Sequence, residues 1–249
     1  MGRLDNEIAF VTGASGGLGS EICRKFLDEG ARVAAVDRDV TAAENGLGDA
    51  VREGRACLLE CDVSSEDQVR DAVRAARRQF GGLTVLCNVA GGSSPQDGKV
   101  TDASLDEFWR VINVDLFGTF LVCRFGIPEL VRAGGGAVVN MSSVAALMAL
   151  PDRDCYTAAK GGVAALTRSM AYNFGPDGVR VNAVAPGATM TRRIQSSGAT
   201  GPLAQMQARQ RLGNVLPADV ADIAVFLASA EACHITGQVV AVDSGLTIS

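Results

Sequence analysis

Tyr156 and Lys160 stand four residues apart in a helix-patterned segment, a spacing that puts both side chains on one face about one turn apart. A tyrosine phenol ionises near pH ~10, and an ammonium beside it favours the phenolate, which brings a usable base closer to neutrality. Ser143 lies 13 residues before Tyr156, where a strand-like run ends, and its hydroxyl could hold a substrate oxygen. Taken alone, such a pair is also common as surface decoration, so both readings stay open. One histidine, His234, and two tyrosines, Tyr156 and Tyr172, leave few other bases and disfavour metal-site and triad chemistry; no metal ligand set is expected.

A second group of residues suits a phosphate. The first strand-like run leads directly into Thr12-Gly13-Ala14-Ser15-Gly16-Gly17-Leu18-Gly19 and then an amphipathic helix. Glycines allow a tight turn and a close approach to a pyrophosphate, whose charge the helix N-terminus favours. A tight βα turn of any purpose could use the same glycines. Asp37 strengthens the case, because it closes the second strand 18 residues beyond Gly19. A carboxylate there can accept both ribose hydroxyls of an adenosine and repels a 2′-phosphate.

The elements that must position these groups alternate regularly. Residues 8–12, 32–37, 56–60, 83–88, 136–142, 180–184 and 238–242 read as short strands, apolar at successive positions, as parallel strands buried on both faces are. Helical stretches lie between them, and Ser65 with Gln68 and Ser104 with Glu107 have capping-box spacing. The expected fold is α/β: a Rossmann-type, doubly wound, seven-stranded, mostly parallel sheet with helices on both faces. A single domain, 1–249, accounts for the chain. Residues 188–216, rich in small and polar types after a strand end, read as a substrate-covering lobe within it.

Composition removes several classes. Net charge is −5 with pI near 5.0, and the 23 basic residues form no stripe for nucleic acid. No apolar run reaches the ~18 residues of a membrane helix, and Asp5 and Glu7 stand where a signal peptide would turn apolar. Seven cysteines without C-x-x-C or zinc-ligand spacing read as free thiols in a reducing cytoplasm. His234, before Ile235-Thr236-Gly237, reads as a packing residue.

From Ile8 to Gly245 the chain resembles the compact, single-domain branch of the short-chain dehydrogenase/reductase family. The matching pieces follow the family's order: the 12–19 turn, Asp62-Val63, Asn88-Val89-Ala90-Gly91, Asn113, Ser143, Tyr156-x-x-x-Lys160, Pro186-Gly187 and Gly237-Gln238…Val242-Asp243. The resemblance implies that Tyr156 is the general acid/base, Ser143 stabilises the substrate oxygen, and Lys160 holds the nicotinamide ribose and lowers the tyrosine pKa. Asn113 would order a water that continues the proton relay. The cofactor would be NAD, met by Gly13, Ser15, Gly17, Leu18, Gly19, Asp37, Arg38, Asp62, Val63, Asn88, Ala90, Gly91, Tyr156, Lys160, Pro186, Gly187, Thr189 and Thr191. The implied activity interconverts a secondary alcohol and a ketone, and the implied assembly is a homotetramer packed through helices at 105–133 and 153–174. An NADPH-dependent 3-oxoacyl thioester reductase is the alternative within the class, and a catalytically silent dinucleotide-binding regulator the alternative outside it. Val89 replaces a usual asparagine, with an expected effect on stability. Asp152, Arg153 and Asp154 bring charge just ahead of Tyr156 and are expected to face solvent.

Overall fold

The computed structural model describes residues 2–191, 194–195 and 201–248. Seven strands form one sheet: β1 (Ile8–Thr12), β2 (Arg32–Asp37), β3 (Ala56–Glu60), β4 (Val85–Asn88), β5 (Gly136–Met141), β6 (Val179–Pro186) and β7 (Val239–Val242). Their order is β3-β2-β1-β4-β5-β6-β7, and every neighbouring pair is parallel. The order reverses at β1, so the carboxyl ends of β1 and β4 flank the crevice where doubly wound sheets take their ligands.

Alternate strand residues enter opposite cores. Ala9 and Val11 join Val33, Ala35, Cys87 and Val139 beneath α1 (Gly17–Asp28), α2 (Thr41–Arg52) and α8 (Pro217–Ala228). Ile8 and Phe10 join Ala34, Val36, Leu86 and Val138 beneath α3 (Glu66–Phe80), α5 (Gly118–Arg132) and α6 (Asp154–Phe174). A strand covered on both faces has no polar side to show, which is why these runs are apolar throughout. β6 is longer than the 180–184 expected, because Ala185 and Pro186 continue the ladder against Ala241 and Val242.

Ser104 caps α4 (Leu105–Val111), its Oγ accepting from the Glu107 N–H at 3.1 Å. Ser65 makes no such bond; Gln68 Oε1 accepts instead from the Asp62 N–H at 2.8 Å, so that expected capping box is absent. Between α4 and α5, residues Ile112–Phe117 wind as a π-helix. The combined run Leu105–Arg132 is long and apolar enough to cross a membrane, yet half of its most apolar window is buried within the fold. The short helix α7 (Gly201–Arg209) belongs to the 188–216 segment.

Candidate active site

The glycine turn is built too tightly for side chains. A Cβ on Gly19 would lie 2.0 Å from the Gly13 carbonyl oxygen, and one on Gly13, at φ +70°, would press on the Ala90 backbone at 2.9 Å. Helix α1 starts at Gly17 with no side chain capping it, while Leu18 packs on the core. Thr191 lies over the turn, since a Cβ on Gly17 would meet its Cβ at 3.0 Å. The Ser15 N–H donates to Asp37 Oδ2 at 2.9 Å, which sets that carboxylate beside the turn at the end of β2. Arg38 is exposed. Two bonds from Ser64, assisted by the charge of Arg38, hold the Asp62 carboxyl below the usual carboxylate range. Val63 is buried against Gly118, where a Cβ would come within 2.7 Å of its methyl.

At the end of β4, Thr12 Oγ1 accepts from the Val89 and Ala90 N–H groups at 3.0 and 3.2 Å, tying the two central strands together. Val89 is core, in keeping with a role in stability. Gly91 is exposed at φ +137°. Asn88 ends β4. Its side chain turns into the layer under α5 and α6, donating to Asn140 Oδ1 at 2.8 Å and lying 3.3 Å from Cys123 Sγ, and Asn140 in turn donates to Thr167 Oγ1 at 2.9 Å. Only its backbone is left to line a ribose, because the pleat at this register points the amide inward.

Ser143 follows β5 and caps the short turn Val144–Ala146, its Oγ accepting from the Ala145 N–H at 3.2 Å. That turn packs on α6, which carries Tyr156 and Lys160. Lys160 is only 3% exposed; its Nζ lies 5.6 Å from the centre of the Tyr156 ring and donates to the Met141 carbonyl at 2.9 Å. Its other neighbour is Asp115 Oδ1, at 2.8 Å. Burial by itself would push the Lys160 ammonium down, but Asp115 and Tyr156 together hold it above the ordinary lysine value.

Asp115 is a residue the sequence reading passed over in favour of Asn113. Asn113 is exposed, and Asp115, two residues on, is the one whose carboxylate meets Lys160. Two positions apart in the same π-helical turn, Asn113 and Asp115 point in different directions, and it is Asp115 that meets Lys160. The π-helical turn supplies one extra residue between α4 and α5 and re-aims the side chains within it, as such bulges do at functional sites.

The start of α6 is held from the 93–104 loop. Asp97 is buried, and its two oxygens accept from the Cys155 and Tyr156 N–H groups at 3.1 and 3.0 Å. Asp154 Oδ2 accepts from the Val100 N–H at 2.7 Å, and Arg153 reaches the backbone carbonyls of Asp152 and Asp97. Asp152 and Asp154 are exposed as expected, while Arg153 is half-buried; this charged run also fastens the loop to the helix.

On the far side, Pro186 ends β6, the Gly187 N–H donates to the Val242 carbonyl, and Thr189 Oγ1 donates to the Gly187 carbonyl at 3.2 Å. Thr189 also bridges to Val215, closing the base of the 188–216 segment, part of which lies outside the described residues. Gln210, at the end of that segment, is buried close to Gly187 and Asp243 with both amide atoms unbonded. His234 is exposed rather than packed. Among the described residues no group of metal-ligating side chains occurs.

A family model described as enoyl-(acyl carrier protein) reductase matches residues 13–247. The chain belongs to the short-chain dehydrogenase/reductase family. Cis-4-hydroxycyclohexanecarboxylate dehydrogenase of Sinomonas cyclohexanicum is 37% identical over 243 residues, covering 96% of each chain. 2-(R)-hydroxypropyl-CoM dehydrogenase of Xanthobacter autotrophicus is 36% identical, over 97% of this chain and 99% of that one. The crystal structure of gox2181 superposes with a TM-score of 0.93 at 30% identity, covering 99% and 98% of the two chains. This short-chain dehydrogenase/reductase is therefore an oxidoreductase of a family that binds a nicotinamide dinucleotide.

Proposed function

We propose that the protein is an NAD(H)-dependent oxidoreductase interconverting a secondary alcohol and a ketone, with Tyr156 as its general acid/base. The observation that carries this reading is the buried ammonium of Lys160, held by the Met141 carbonyl and Asp115 next to the Tyr156 ring. An ammonium there favours the phenolate, so Tyr156 can take the alcohol proton in oxidation and return it in reduction. Ser143, with its Oγ already accepting from Ala145, has its own hydrogen to donate to the substrate oxygen.

The cradle fits a dinucleotide. Nothing larger than hydrogen is tolerated at Gly13 and Gly19, so a pyrophosphate can approach the backbone of Gly13, Ser15, Gly17, Leu18 and Gly19 at the open start of α1. Asp37 would take the adenosine ribose hydroxyls beside Arg38, and Asp62 and Val63 the adenine. Ala90, Gly91 and Lys160 would line the second ribose; Pro186, Gly187, Thr189 and Thr191 would flank the nicotinamide. When bound, the nicotinamide accepts or supplies the hydride. Asp37 supports NAD over NADP, since a carboxylate at that place repels a phosphate.

Both relatives described above are named for substrates bearing a secondary alcohol, which supports the same reaction here. The 188–216 segment is the substrate lobe in this reading. A reducing, cytoplasmic setting agrees with cysteines that are all free. A homotetramer agrees with an apolar groove of about 590 Å³ on the outer face of α5 and α6, which Phe120, Ile127, Val131, Leu166 and Phe174 help to line. The groove begins some ten residues, about 15 Å of helix, beyond Tyr156, so it is no substrate site. NAD-linked oxidation screened over sugars, cyclic alcohols, hydroxy acids and hydroxyacyl thioesters tests the reading; no turnover on any of them returns the silent regulator.

A further inference from the structure

Asp115 is wholly buried, and its surroundings are organised around it. Oδ1 takes Lys160 Nζ at 2.8 Å and the Gly92 N–H at 3.0 Å, while Oδ2 has no hydrogen-bond partner. The strand-end glycine leaves it room: a Cβ on Gly91 would fall 2.4 Å from Oδ1. The backbone carbonyl of Asp115 accepts from Thr119 Oγ1 at 2.8 Å, which steadies the π-helical turn. A carboxylate with so few donors keeps most of its charge to itself, and in a water-poor interior that charge acts on whatever ionises nearby.

The charged and titratable groups facing it are few. From α6 come Lys160 and the phenol of Tyr156; from α4 comes Arg110, which feels the Asp115 charge but is bound to Glu107; from the 93–104 loop comes Asp97, already engaged by the N-terminus of α6. Lys160 is in direct contact with Asp115.

We propose that Asp115 is a positioning residue for the reaction: by locking Lys160 into a buried carboxylate–ammonium pair, it sets the pH range over which Tyr156 exchanges its proton. This rests on Tyr156 being the acid/base. The charge count gives the sign. With Asp115 ionised, Lys160 protonated and the phenol neutral, the cluster has no net charge, and losing the phenol proton leaves a buried negative cluster. With a neutral residue at 115 the same cluster starts positive, and losing the proton makes it neutral. Proton loss is therefore easier without the carboxylate, whichever of the coupled groups is assigned the proton. Asp115 thus delays ionisation that Lys160 alone would make early, favouring ketone reduction near neutral pH and moving alcohol oxidation to more alkaline conditions.

The chain has only two tyrosines, and Tyr172 is 86% exposed on the outer face of α6. In a Tyr172→Phe background the phenolate absorbance near 295 nm therefore reports Tyr156 alone, with no substrate or turnover required. Asp115→Asn, close in shape, is expected to move that midpoint down by about one pH unit, the order of effect that removing a charge from a buried cluster produces. Asp115→Ser, smaller and equally uncharged, is a second variant in case the first does not fold, and is expected to move it the same way. The alkaline rise of alcohol oxidation should fall in parallel. A midpoint that stays put or rises in a folded variant overturns the proposal. Failure of Tyr156 itself as the acid/base would show separately, as near-parental turnover in Tyr156→Phe.

Discussion

Tyr156→Phe keeps the ring and removes the proton it carries, so turnover should drop by ~10²–10⁴-fold while NAD binding, followed by titration, survives on contacts made elsewhere. Lys160→Ala removes the opposite charge beside the phenol. The alkaline limb of oxidation should then move up by about a unit, the reverse of the shift expected when Asp115 is neutralised, and the two pH profiles measured together give the sign of each charge. Ser143→Ala should lower turnover and leave that limb where it is, because the role proposed for Ser143 is to hold the substrate oxygen and its hydroxyl carries no charge to tune the base. Asp37→Ser should erode a cofactor preference of roughly ten- to a hundredfold, the worth of a charged hydrogen-bond partner; equal kcat/KM with NAD and NADP in the parent protein would remove Asp37 from that role. At this scale the candidate side chains were legible in the sequence, but not which neighbour completes them. Tyr156, Lys160, Ser143 and Asp37 stand out by type and spacing. Asp115 does not, because the helical turn that aims it is π-helical, and residue spacing is read on an α-helical period. The Asn88 amide was illegible for a related reason: its position in the motif was visible, but the direction of its side chain depends on pairing with Asn140, 52 residues away.

Helix α6 shows how an element can depend on residues that its own sequence does not contain. Its first turn has no cap of its own, and a carboxylate from another loop, Asp97, takes two of its N–H groups. A helix cap is worth about 0.5–2 kcal/mol, and at ~2–4 °C per kcal/mol for a chain of this size, Asp97→Ala should lower the melting temperature by a few degrees. It should also reduce kcat more than the KM for NAD, because the freed turn carries Tyr156 and not the dinucleotide cradle. An unchanged kcat with a lowered melting temperature would reduce Asp97 to a purely structural cap. The strands were legible almost to the residue, since burial on both faces leaves an uninterrupted apolar run that polar turns punctuate. The false capping box at Ser65 and the loop-borne cap of α6 were not legible, because both are settled by which donor lies nearest in space.

For the molecule as a whole, the outer face of α5 and α6 carries exposed Phe120 and Val131, next to exposed Phe117 in the π-helical turn, with Ala158, Gly161 and Ala165 leaving room for a close neighbour. Gly162 is different: a Cβ there would meet Leu116 at 2.8 Å, so it serves the chain's own packing. Light scattering at micromolar concentration should give a tetrameric mass, and Phe120→Glu should lower that mass by placing a charge in the groove; a monomeric parent protein would refute the assembly. The strand order has a consequence of another kind, for a chain emerging from the ribosome. β2 adds to β1 and β3 to β2, growing one edge; β4 then adds to the other side of β1, and β5, β6 and β7 follow outward in turn. No strand ever has to wedge between two that are already paired, so the sheet can be laid down in the order it is translated. The dinucleotide cradle and Asp37 belong to the part made first, whereas Gly187 and Asp243 arrive last. The residues proposed to hold the adenosine half are thus in place before those proposed to flank the nicotinamide have been made.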